Sequence, residues 1–131
     1  MAHCDIKCNA IGFLIPTFEH PYEVVGSFLF HDVQLSGSDY YLGEARDVAH
    51  GGKPVEIVGN AHDVEIFAEH VALVNRYSGG FPPVVVKIES FIEALDFWKE
   101  IVEKWVRAGR PKEFTASADF VIPEVDMKWK R

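Results

Sequence analysis

From Phe91 onward the apolar residues Phe91, Leu95, Trp98, Val102 and Trp105 advance in steps of four, three, four and three. Only an α-helix gathers that spacing into one stripe, because side chains three and four apart share a face. Ile92, Ile101 and Val106 widen the stripe. Ser90, followed at the third position by Glu93, has the pattern of a capping box, and Gly109 and Pro111 stand where a helix would stop. The spacing predicts about four turns of amphipathic helix, with Trp98 and Trp105 plugging it onto another layer instead of stacking on a ligand. A helix with so broad an apolar side has to be covered, so the chain must build at least a second layer.

The other segments supply strands. Asp5 to Ile15 is rich in Ile, Phe and Leu and is broken by Pro16, the polar residues 17–20 and Pro21; Tyr22 to Leu35 resumes with β-branched and aromatic residues around Gly26. These two runs are expected to pair as a hairpin, with Gly26 marking a bulge or a close backbone approach. Tyr41, Leu42, Ala45, Val48 and Ala49 predict a helix of about three turns, capped by Ser38 or Asp39 and stopped by Gly51 and Gly52. Val55 and Ile57, then Val64 and Ile66, then Val71 and Leu73 alternate with polar neighbours, with a turn at Gly59-Asn60-Ala61, and so read as an antiparallel meander. Val84 to Ile88 is a further strand after a loop-like stretch over 78–83, and Phe114 to Ile122 another. The expected class is α+β: a largely antiparallel sheet of about five to seven strands, the long helix on one face and the short one at an edge. One domain over residues 1–131 is expected, with 124–131, including Trp129, as a loose basic tail.

Charge and composition narrow the use of such a domain. The 131 residues are 48% hydrophobic, enough for a core without metal or disulfide. Net charge is −7, with sixteen acidic and eight basic side chains over residues 1–108. Such a surface repels phosphate backbones, so nucleic acid is an unexpected direct partner. No stretch is apolar enough to cross a bilayer and MAHCDIKC lacks the order of a signal peptide, which makes a soluble cytoplasmic protein the expectation. Cys4 and Cys8 would stand about 13 Å apart along a strand, beyond the roughly 7 Å a disulfide allows, so both should be reduced thiols.

Motifs for chemistry are sparse. Gly51-Gly52 and Gly79-Gly80 have neither dinucleotide nor phosphate-loop spacing, and no G-x-S-x-G is present. His62 and His70 fall on adjacent strands of one hairpin, His3 with Cys4 and Cys8 could make a soft-ligand cluster, and His31 reads as a half-buried, hydrogen-bonded histidine. None of these matches a metal-site spacing, so no metal and no cofactor is assigned. Asp63 and Glu65 share a strand face by period two, with Glu56 pointing the same way.

Leu42-Gly43-Glu44-Ala45-Arg46-Asp47-Val48, Gly59-Asn60-Ala61 leading into Val64-Glu65-Ile66, and Lys87-Ile88 leading into Phe91 and Trp98 together resemble the small bacterial immunity proteins of polymorphic toxin and contact-dependent growth inhibition systems, over residues 22–106. The resemblance implies a non-enzymatic protein that binds and neutralises one cognate toxin domain, often a nuclease, and it transfers no catalytic residue. From charge and expected exposure, Asp39, Glu44, Asp47, Asp63, Glu65 and Glu69 would meet Lys and Arg on a cationic partner, with Tyr40 or Tyr77 (or Tyr41) as aromatic anchor. Two other readings remain: a small metal-dependent or small-ligand enzyme using His31, His62, His70 or the Cys4/Cys8 pair, and a self-associating scaffold. The chain would be a monomer or a homodimer.

Overall fold

In the computed structural model, which describes residues 1–77, 80–123 and 125, the apolar stripe winds into the long helix α3 (Ile88–Arg107), and Phe91, Leu95, Trp98, Ile101, Val102 and Trp105 are all buried. Val106 stays 42% exposed, so the stripe widens toward Ile101 and not toward Val106. The helix begins two residues before the expected capping box. Its N-cap is Lys87 and no side chain caps it; the amide of Ile88 instead donates to the Glu69 carbonyl at 3.0 Å, so a neighbouring loop satisfies an amide that the helix end leaves orphaned. At the other end Gly109, at φ +88°, lets Arg110 donate back to the Trp105 carbonyl at 2.9 Å, a Schellman-type stop.

Among the described residues seven strands form two antiparallel sheets. Four of the seven, β3 (Val55–Val58), β4 (His62–Ile66), β5 (His70–Asn75) and β6 (Val84–Lys87), lie in sequence order as the expected meander. Register places Ile57, Val64, Leu73 and Val84 in one row and Val55, Ile66, Val71 and Val86 in the next. These rows face the same core as the α3 stripe. The other sheet has order β2-β1-β7, from β1 (Ala2–Cys8), β2 (Leu14–Phe18) and β7 (Thr115–Phe120). Residues 5–15 are therefore not one strand. The chain reverses at Asn9, whose Oδ1 accepts the amides of Ile11 at 3.2 Å and Phe13 at 2.8 Å, an Asx turn that makes the hairpin local.

The larger correction concerns residues 22–35, expected as a strand. They form α1 (Glu23–Phe28) and a π-helical turn (Leu29–Val33). Val24, Val25, Phe28 and Leu29 recur at helical intervals, and tertiary packing uses that period in preference to the β propensity of Val and Phe. Gly26 marks a close approach, since a Cβ there would sit 2.6 Å from the Pro16 carbonyl oxygen. Helix α2 (Ser38–Ala49) spans the expected residues, but its N-cap is Gly37 without a side-chain cap, and neither Ser38 nor Asp39 serves as one. It packs along α3. Phe28 joins the helices to the four-stranded sheet, stacked on Phe91 at 5.8 Å and edge-on to Tyr41 at 5.0 Å and His62 at 6.2 Å. All three helices therefore share one side of that sheet. Among the described residues no helix is long and apolar enough to cross a membrane. The expected basic tail, with Trp129, lies outside the described residues apart from Val125.

Truncating the most central helix side chain measures this packing. Trp98→Ala is expected to cost about 3–5 kcal/mol, while Val106→Lys, on the open edge of the stripe, changes stability by less than about 0.5 kcal/mol. Denaturant titration of both variants checks the contrast.

Candidate functional site

Strand alternation sends Glu56, Asp63 and Glu65 to the face of the four-stranded sheet opposite the helices. Glu56 and Glu65 stand directly across from each other on β3 and β4, an arrangement of like charges that costs stability. Asp63 faces Val58 on one side and Val74 on the other. Arg76 approaches Asp63 at 3.5 Å while donating to the Gly59 carbonyl at 2.8 Å. With Val58 61% exposed and Val74 and Val85 half-buried, this face mixes carboxylates with aliphatic surface.

The remaining expected contact residues lie elsewhere. Asp39, Tyr40, Glu44 and Asp47 sit on α2, on the helical side of the sheet. Asp39 accepts from Lys99 at 2.6 Å, and Arg46 pairs with Asp96 at 3.2 Å, so α2 is stitched to α3 by part of the charge that would have greeted a partner. Lys99 is raised in pKa chiefly by its hydrogen bond to Asp39. Glu44 is half-buried and Asp47 exposed. Tyr40 is exposed beside the buried Tyr41, whose phenol burial pushes up to about 12. Glu69 is exposed in the β4–β5 turn, and Tyr77, whose hydroxyl donates to the Asn60 carbonyl at 3.2 Å, lies beyond the far end of β5. Six of the eight expected residues thus divide between α2 (Asp39, Tyr40, Glu44 and Asp47) and the sheet face (Asp63 and Glu65, joined there by Glu56), while Glu69 and Tyr77 lie at opposite ends of the β4–β5 hairpin.

The candidate reactive groups do not converge. Cys4 points into the core of the three-stranded sheet, where burial pushes its thiol to about 12, and Cys8 is half-buried on the same side. His3 lies on the opposite face of β1, between Asp119 at 2.7 Å and Asp5 at 3.0 Å, and so forms no cluster with the thiols. His62 and His70 are at opposite ends of their hairpin and on opposite faces, opposite Asn75 and Lys87 respectively. Among the described residues no three His, Cys, Asp or Glu side chains are placed to hold a metal ion.

His62 has another role. Its side chain is fully buried, with Nδ1 2.8 Å from Oδ2 of Asp32, itself 1% exposed, and Nε2 3.5 Å from the Asn75 amide. Asn75 Oδ1 accepts the Tyr77 amide at 2.8 Å, which turns its NH2 toward the imidazole. The ring is then neutral with its proton on Nδ1, donating to Asp32 and accepting from Asn75. Asp32 Oδ1 accepts the Ala61 amide at 2.8 Å. Burial lowers the His62 pKa, outweighing the Asp32 hydrogen bond that raises it. Asp32, on the π-helical turn, carried no signal in the sequence beyond being one acid among many.

A groove that sequence patterning did not indicate opens between the β1–β2 turn, the π-helical turn and the end of α3. It encloses about 440 Å³ between Phe13, Phe30 and Leu35, above Trp98 and Trp105, with Arg110 at its rim. The two tryptophans plug the helix as expected while also flooring this groove.

The two histidines act on stability with opposite sign. His62, depressed in the folded state, contributes stability that is full above about pH 6.5 and lost as pH falls below it. His3, raised mainly by its hydrogen bonds to Asp119 and Asp5, contributes stability present below about pH 6.5 and lost as pH rises through its elevated pKa. Denaturation midpoints across pH are expected to lose the alkaline decline in His3→Gln and keep the acid one. Asp32→Ala, which orphans two buried donors, is expected to cost about 2–5 kcal/mol. No family model, curated protein or solved structure matches this chain.

Proposed function

We propose that this chain is a non-enzymatic protein-binding module that neutralises a cationic protein domain by covering it, in the manner of the toxin immunity proteins its sequence resembles. The observation that carries the reading is the outer face of the four-stranded sheet. Glu56 opposes Glu65 across β3 and β4, with Asp63 one step along and aliphatic surface beside them at Val58 and Val74. A Lys or Arg of the partner set between Glu56 and Glu65 would make charge-assisted hydrogen bonds to both carboxylates. The aliphatic neighbours give the contact an apolar portion, and the negative field speeds encounter. The α2 acids have no such cross-strand pair beside aliphatic surface; Asp39 holds Lys99 as Asp63 holds Arg76. The partner is accordingly a basic protein domain, the setting is the cytoplasm, and nucleic acid is met only through that partner.

Association with a basic protein domain that copurifies with this chain tests the reading. Reversing Glu56, Asp63 and Glu65 to Lys together is expected to slow association by about tenfold or more at low salt and to flatten its salt dependence. Reversing Asp39, Glu44 and Asp47 should have the smaller effect. Rates unchanged by the sheet-face triple would contradict the proposal.

A further inference from the structure

The backbone irregularities of the described residues converge on the groove. Only two non-glycine residues among them adopt positive φ, Gln34 at 57° and Arg110 at 55°, and both line it. The single π-helical turn ends immediately before Gln34 and supplies Phe30 and His31 to the same wall. Left-handed non-glycine backbone costs on the order of 1–3 kcal/mol and persists only where its surroundings enforce it, and π-turns occur preferentially at functional sites. Gln34 is held by three hydrogen bonds: its amide donates to the Leu29 carbonyl at 2.8 Å, its side chain to the His31 carbonyl at 3.0 Å, and its own carbonyl accepts the Trp98 indole at 2.8 Å. Arg110 is positioned from the other side. The Trp105 indole donates to the Pro111 carbonyl at 3.1 Å, and the Arg110 guanidinium lies 5.6 Å from the centre of the Trp105 ring.

We infer that this groove is a binding site for a small planar aromatic carboxylate. The volume of about 440 Å³ is in the range of small-molecule sites. Phe13 and Phe30, in edge-to-face contact at 6.1 Å, and the exposed side chain of Leu35 offer walls for a ring; Phe13 remains 53% and Leu35 42% exposed, so the walls are open to a ligand. Charge selects the head group. On a molecule of net charge −7 the groove carries a guanidinium that pairs with no carboxylate among the described residues. Its planar fork matches a carboxylate bidentately, and the Trp105 face keeps it oriented. The aromatic ring enters between the Phe13 and Leu35 walls while the carboxylate meets Arg110. This site lies apart from the acidic sheet face, so it is independent of the partner-binding proposal.

Naphthoate and its neutral analogue naphthamide are the probes, titrated into the full chain with calorimetry and with the Trp98 and Trp105 indole N–H resonances as reporters. Naphthoate is expected to bind at least about tenfold more tightly than naphthamide and to shift both indole signals. Arg110→Gln should bring naphthoate down to the affinity of the amide, and Leu35→Asp should weaken both ligands. Both residues are exposed, so the variants are expected to fold, which their unchanged denaturation midpoints would verify. Equal affinity for acid and amide, absence of binding, or shifts confined to other parts of the molecule would each overturn the inference.

Discussion

The contact between Asp32 and His62 is the constraint on which the rest of this structure leans. It joins the π-helical turn to β4 through two side chains that are essentially removed from water, with Ala61 and Asn75 completing their hydrogen bonds. A buried polar group without partners costs more than an apolar one in its place, so such a network specifies one arrangement and penalises the others. Here it fixes how residues 22–35 dock on the four-stranded sheet. That docking puts Phe28 among Tyr41, Phe91 and His62, and carries Gln34 to the Trp98 indole.

Two exteriors follow from that arrangement. With the described helices on one side, the opposite sheet face carries Glu56, Asp63 and Glu65 with Arg76, His70 and Lys87 around them, and its electrostatics are set by strand alternation. On the helical side, the same packing uses charge to hold elements together: Asp39 to Lys99 and Arg46 to Asp96 connect α2 with α3. Exposed pairs of this kind are each worth roughly 0–1 kcal/mol, yet the Lys99 contact offsets the field that Asp39 would otherwise project. The overall charge of −7 therefore says less about binding than its placement does. The groove is a third consequence, since one of its walls exists only because the chain leaves the π-helical turn at Gln34.

Where local periodicity and tertiary packing agree, the sequence was legible. The α3 stripe, the strands β3 to β6 and α2 occupy the expected residues, and the α+β class follows from them. The misread segments are those where propensity and period disagree. Val24, Val25, Phe28 and Leu29 are strand formers at helical intervals, and the decisive fact, that Gly26 must pass against the Pro16 carbonyl, is a long-range contact. Asn9 and Gly12 did signal a reversal within residues 5–15, but the apolar run around them obscured it. The capping box at Ser90 failed because a tertiary hydrogen bond from Ile88 to Glu69 starts the helix earlier. Of the site, the pairing of Asp63 with Glu65 and Glu56 could be read from alternation alone. The burial of His62 against Asp32 and the groove at Arg110 could not, since both join residues thirty or more positions apart in the sequence.

His62 is a structural hydrogen-bonding group, neutral and closed to solvent, and the function we propose rests on the exterior of the molecule. Nitrogen-15 spectroscopy of the imidazoles, followed as pH falls past about 6.5, tests this directly. The expected result is a His62 ring that keeps its proton on Nδ1 and remains neutral well below the pH at which an ordinary histidine is half protonated. A ring that titrates at the ordinary value, or that carries its proton on Nε2 in fast exchange with water, would contradict the account and make His62 an accessible base.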